Sequence, residues 1–154
     1  MAKPTDIRAT GATLYFLPVQ TRVPLKFGPE TTTYITCARV RLTVQSADGR
    51  RAEGWGETPL SVQWVWPSTL SYELRHEAMK QLSIDIAGAW VDFDIEGHPM
   101  EVGHEFLECR LPQLLDQANH ARPADQQIPH LAALVCASAF DIALHDAYGN
   151  LHGV

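Results

Sequence analysis

The sequence predicts an α+β domain: a three-stranded antiparallel meander followed by a bundle of three to four helices. Three observations carry this. Alternating, β-branched stretches parted by turn residues fill the first third of the chain. After Ser68 the apolar spacing switches to three and four residues, as on a helix. The 154-residue length suits one domain with a core of its own.

The first strand is expected over Ile7–Leu17, "IRATGATLYFL", which is rich in β-favouring residues and ends before Pro18. Val19–Thr33, "VQTRVPLKFGPETTT", contains Pro24, Pro29 and Gly28 and breaks all periodicity, so it reads as a long loop. In "YITCARVRLTVQ", Val40, Leu42 and Val44 alternate with Arg39, Arg41 and Thr43, the pattern of a half-buried strand. Asp48-Gly49 supplies a hairpin turn, and "RAEGWGE" is the return strand. The glycines of that strand mark a bulge or a close approach by another backbone. A second irregular stretch, Thr58–Ser68, follows.

Leu70–Trp90 places Leu74, Met79, Leu82 and Ile86 at helical spacings. A second helix or pair of helices runs through "HPMEVGHEFLECRLPQLLDQ", interrupted at Pro112, and "ANHARPADQQ" is a linker. Pro129 opens the last helix, which is expected to reach about Tyr148 with Gly149 as its C-terminal cap. From Leu131 to Leu144 that helix is apolar on nearly every face, so it must be buried on more than one side.

A formal net charge of -6 and scattered arginines argue against nucleic acid as a partner. The N-terminus shows no apolar secretory core, and no apolar run reaches the roughly 18 residues of a membrane span. Cys37, Cys109 and Cys136 are odd in number and lie in apolar contexts, which suits reduced packing residues in a cytoplasmic protein.

Several side chains are candidates for chemistry. Asp141 and His145 share a helical face at i, i+4, with Asp146 beside them, but no second motif offers a further metal ligand. Bonding to neighbouring groups is the better reading of that cluster, and Glu57 beside its turn is better read as structural. The other histidines show no paired spacing and read as surface or capping residues. Phe27, Trp64 and Trp66 lie in the two irregular stretches that flank the meander, outside any helix or strand stripe. Lys26 and Arg22, in the first of these, are candidates to meet a substrate carboxylate.

The succession "TRVPLKFG", "VRLTVQSADGRRAEGWGE", a tryptophan-bearing loop and "CASAFDIALHDAYGNLHGV" resembles the N-terminal capping domain of the enolase superfamily, in its mandelate racemase and muconate-lactonizing branch. The resemblance spans nearly the whole chain. It implies a second domain, a C-terminal (β/α) barrel, which would start where this chain stops. That barrel, absent here, would supply the acid-base residues and the three carboxylates that bind Mg²⁺. The implied reaction is proton abstraction next to the carboxylate of a small substrate, with the metal stabilising the enolate. The resemblance also implies that the two irregular stretches fold over the barrel mouth, where Phe27, Trp64 and Trp66 would exclude water and shape the pocket. The chain alone is then expected to be inactive, and the parent enzyme to be a homo-oligomer. The alternative is a stand-alone binding module descended from such a domain, recruiting a partner through its apolar last helix.

Overall fold

In a computed structural model, which describes residues 3–28 and 30–154, three antiparallel strands lie in the order β1 (Ile7–Phe27), β2 (Glu30–Ser46), β3 (Arg51–Pro59). Helices α1 (Val62–Val65), α2 (Tyr72–Val91), α3 (Pro99–Glu105), α4 (Leu111–Asn119) and α5 (His130–His152) follow. The α+β class is as the sequence predicts. The alternation along β2 is observed too: Ala38, Val40, Leu42 and Val44 are fully buried against the helices, while Arg39 faces solvent.

The long loop expected over Val19–Thr33 is instead a strand pair. β1 runs on to Phe27, and Leu25, Lys26 and Phe27 pair with Thr32, Thr31 and Glu30. The breakers are absorbed by geometry. Between the pairs Gln20↔Tyr34 and Leu25↔Thr32, β1 carries four residues, Thr21 to Pro24, against the single Thr33 of β2. Pro24 sits in that bulge on an edge strand, where a missing backbone donor costs least. Beyond Cys37↔Pro59, the last pair made with β3, β1 and β2 continue as a two-stranded ribbon.

α5 lies across the sheet and packs chiefly on β3. Its approach is set by two glycines. A Cβ built on Gly54 would stand 2.0 Å from the Ala147 nitrogen, and one on Gly56 2.0 Å from the Ala139 oxygen. The helix answers with small residues, since Ala139, Ala143 and Ala147 are all fully buried. Of the two readings of these glycines, the close approach is the one observed. This contact also explains the apolar character of α5. The segment Ala124–His152 is apolar and long enough to cross a membrane, and 50% of its most apolar window is buried within the fold. Leu131 and Ile142 remain exposed on its outer side.

α5 ends later than expected. Gly149 stays helical, and Gly153, at φ 73°, forms the left-handed cap, its amide bonded to the Gly149 oxygen at 2.8 Å. The extra turn is held by tertiary contacts: Leu151 is buried, and the Asn150 side chain donates to the Glu53 carbonyl at 2.9 Å. Asp146 accepts from the Trp55 amide at 2.8 Å on the same seam.

α2 buries Ala78, Met79, Leu82 and Ile86, but Leu74 is 61% exposed and Arg75 takes the inward position instead. Pro112 does not interrupt the next element. α3 continues through a π-helical turn, Phe106–Arg110, straight into α4, and this turn directly precedes Pro112 and accommodates its missing donor. Phe106 stacks on Trp90 with ring centroids 4.2 Å apart, closing the core at the far end from the ribbon. His98 caps α3 in a capping box with Glu101, as a capping histidine should. Cys37 and Cys136 are buried, but Cys109 is exposed on the π-helical turn, contrary to its expected packing role.

The glycine seam gives a contrast of substitutions. Gly54→Ala or Gly56→Ala should cost about 3 kcal/mol or more, because the new methyl meets backbone that cannot yield. Gly88→Ala, on an open face of α2 with nothing within 4 Å, should instead stabilise by about 1 kcal/mol. Urea unfolding of the three variants checks the order.

Candidate functional site

The ribbon and the segment after β3 meet at a cavity of about 530 Å³. Leu25, Ile35, Cys37, Pro59 and Trp64 form its apolar walls. Thr21, Thr32, Ser61 and Gln63 contribute polar atoms at its edges. Most of the lining comes from the stretches that the sequence marks as irregular, yet the first is a strand pair, and Ile35 and Cys37 come from β2 beyond it.

Trp64 is 56% exposed on the short helix α1, at the cavity wall. Trp66 is only 3% exposed and packs into the domain core, so it does not face the cavity as a loop aromatic would. Arg22 and Lys26 are exposed on β1 and lie outside the cavity lining. Phe27 closes β1, and its side chain lies outside the described residues.

Two ion pairs lie outside the cavity lining. Arg39 reaches Glu57 at 2.6 Å across the β2–β3 pair, so the Glu57 carboxylate is engaged structurally. On the other side the guanidinium of Arg75, nearly inaccessible to solvent, makes three contacts. It donates to the Trp66 carbonyl at 2.7 Å, to Glu30 at 3.2 Å and to the Ser71 carbonyl at 3.3 Å. One side chain thereby ties the tip of the ribbon, at Glu30, to the end of the α1 segment. The sequence signal for Arg75 is a charge standing where the α2 stripe calls for an apolar residue. Burial, and next the nearby Glu57 carboxylate, push the Cys37 thiol up, leaving a neutral, weakly polar wall.

Ser61 begins α1 at φ 45°, ψ 44°, and among the described residues it is the one non-glycine with positive φ. That conformation costs a β-carbon residue about 1–2 kcal/mol, and here it falls at the cavity edge. Its carbonyl accepts the amides of Trp64 and Val65 at 3.0 and 3.1 Å, which fixes the short helix.

The Asp141–His145 pair is occupied locally. The His145 ring donates through Nδ1 to the Asp141 carbonyl at 2.9 Å, and its distance to the Asp141 carboxylate is 3.8 Å. Among the described residues, no group of three or more His, Cys, Asp or Glu side chains comes together as a metal centre requires.

Sheet, covering helices and hairpin-edge cavity make an α+β domain. No family model matches the sequence, and no curated protein matches it. Solved structures share the fold. An enolase from Bradyrhizobium, complexed with magnesium and mandelic acid, superposes with a TM-score of 0.51 at 14% identity, over 96% of this chain and 32% of that one. L-Talarate dehydratase from Polaromonas sp. JS666, complexed with Mg and L-glucarate, gives 0.50 at 15% identity, over 96% and 33%. The chain thus has the fold of about a third of each of these proteins.

Two outcomes are expected here. Ser61→Gly should melt no lower than the parent, whereas Ser61→Val should lose about 1–2 kcal/mol, because a β-branched residue tolerates left-handed backbone poorly. His76, whose ring contacts the Thr36 hydroxyl at 2.9 Å and stacks on Tyr72, has its pKa lowered, first by burial and then by Lys80. The folded state therefore binds this proton less readily than the unfolded one. Stability should fall as pH drops below the unfolded value of about 6.5. Thermal melts against pH should show this slope, and His76→Gln should flatten it.

Proposed function

We propose that this chain is the substrate-capping and specificity domain of a mandelate racemase/muconate-lactonizing-type enzyme. The enzyme would abstract a proton next to a carboxylate with Mg²⁺ assistance. The observation that carries the reading is the cavity built where the β1–β2 ribbon meets the α1 segment. An apolar recess of this size, with a few polar groups at its edge, is the ordinary form of a small-molecule site. The fold shared with an enolase that holds mandelic acid and a dehydratase that holds L-glucarate supports the same reading.

In this proposal the partner is a C-terminal barrel domain, the substrate a small carboxylate, and the chemistry belongs to the barrel. The described residues of this chain do not fit a magnesium site, so no step runs through a metal here. What the chain contributes is shape and dryness. Trp64, exposed at the cavity wall, would cover a substrate group and exclude water from it, and Ser61 and Arg75 would hold the α1 segment where Trp64 can do so.

Purified chain, assayed with Mg²⁺ and a panel of hydroxy acids, should show no racemisation or dehydration. Mg²⁺-dependent turnover by the chain alone would overturn the proposal. In the enzyme that carries the chain, Trp64→Ala should change the ratio of kcat/KM between two substrates by about tenfold, a difference of about 1.4 kcal/mol in transition-state binding. Its melting should hardly change, whereas Trp66→Ala should lose about 3–5 kcal/mol of stability. A large melting loss for Trp64→Ala with unchanged preference would make Trp64 a fold anchor and sink the reading.

A further inference from the structure

We propose that the cavity receives a hydrocarbon group of an acid substrate, an aryl or branched alkyl substituent, and rejects a polyhydroxylated chain. The inference rests on the capping reading and names the substrate class for it. Among the described residues no lining side chain is charged, and the walls are Leu25, Ile35, Pro59, the Cys37 thiol and the Trp64 ring. A hydroxyl moved onto such walls loses its bonds to water and gains few in return. The polar groups at the edge are few, and the Thr21 hydroxyl already donates to the Thr33 carbonyl at 3.2 Å.

The cations around the cavity point the same way. Arg39 is held by Glu57, and Arg75 is held by Glu30 and the Trp66 carbonyl. Arg22 and Lys26 stand outside the lining. A ligand carboxylate therefore has no cation to meet inside the cavity, and its apolar end is the part that enters. The volume, about 530 Å³, admits a ring with room to lie against the Trp64 face.

Phenylacetate and acetate carry one carboxylate each, and glucarate carries one at either end of a polyhydroxylated chain. The 154-residue chain, isotope-labelled, is titrated with each at millimolar concentration while the Trp64 indole and the Leu25 and Ile35 methyl resonances are followed. Phenylacetate should move these signals with an affinity at least about tenfold above that for glucarate. Acetate should leave them in place, and Leu25→Asp should abolish the phenylacetate response. Equal or tighter binding of glucarate at the same residues would overturn the inference and leave the capping reading standing. Phenylacetate shifts confined to other surfaces, or no shift with any of the three, would overturn it as well. The capping reading is judged separately, by the substrate ratio of the Trp64→Ala enzyme. An unchanged ratio there, beside a positive phenylacetate titration, would remove the enzyme context but keep an apolar binding site.

Discussion

The close approach of α5 to β3 is the constraint on which the rest of the domain depends. Gly54 and Gly56 leave the middle of the strand without side chains on its inner face, and Ala139, Ala143 and Ala147 let the helix backbone come down onto it. At that separation nothing larger than alanine fits on the contact line. The bulky residues of α5 are thereby sent sideways: Phe140 and Leu144 are fully buried beyond the line of alanines, and Cys136 lies against the Met79 carbonyl of α2 at 3.4 Å. Once α5 is seated, the buried alternation of β2 has its cover and α2 has its place. The outer face of the sheet is left to Arg39, Arg41, Glu53 and Glu57, whose cross-strand pairs are solvent-screened and contribute little stability.

Where local pattern and tertiary demand agree, the chain is easily read. The β2 alternation, the Asp48-Gly49 turn and the meander follow from period and turn chemistry. Legibility fails where a neighbour overrides a local signal. Pro24 and Gly28 look like a loop because proline cannot join a ladder, but a bulge on an edge strand removes that objection. Gly149 looks like a helix stop, but Asn150 and Leu151 have partners waiting on the sheet side. Leu74 stands five residues before Met79 and so falls off the stripe, and Arg75, four residues before Met79, takes the inward position because its donors have carbonyl and carboxylate partners inside.

The cavity was half legible for a related reason. Trp64 stands out as a large apolar residue in an irregular stretch, and the structure sets it at the cavity wall. Ile35 and Cys37 carry no such mark, since on a strand they look like any alternating pair. Ile35 becomes part of a recess because the ribbon outruns β3 there, and Cys37 because it pairs with Pro59 where β3 ends. Trp66, two residues from Trp64, has the same local signature and the opposite fate, because the turn of α1 sends the two side chains to opposite sides.

The buried guanidinium of Arg75 has a consequence for how the domain comes together. A charge that cannot be discarded by deprotonation must find its acceptors or remain in water. Its acceptors sit on Glu30, Trp66 and Ser71, three places that meet only when ribbon, α1 segment and α2 are all in position. A half-assembled arrangement strands the charge with too few partners and is penalised. Docking of the ribbon and closure of the α1 segment are therefore coupled into one cooperative event, and the recess between them opens and forms as a unit.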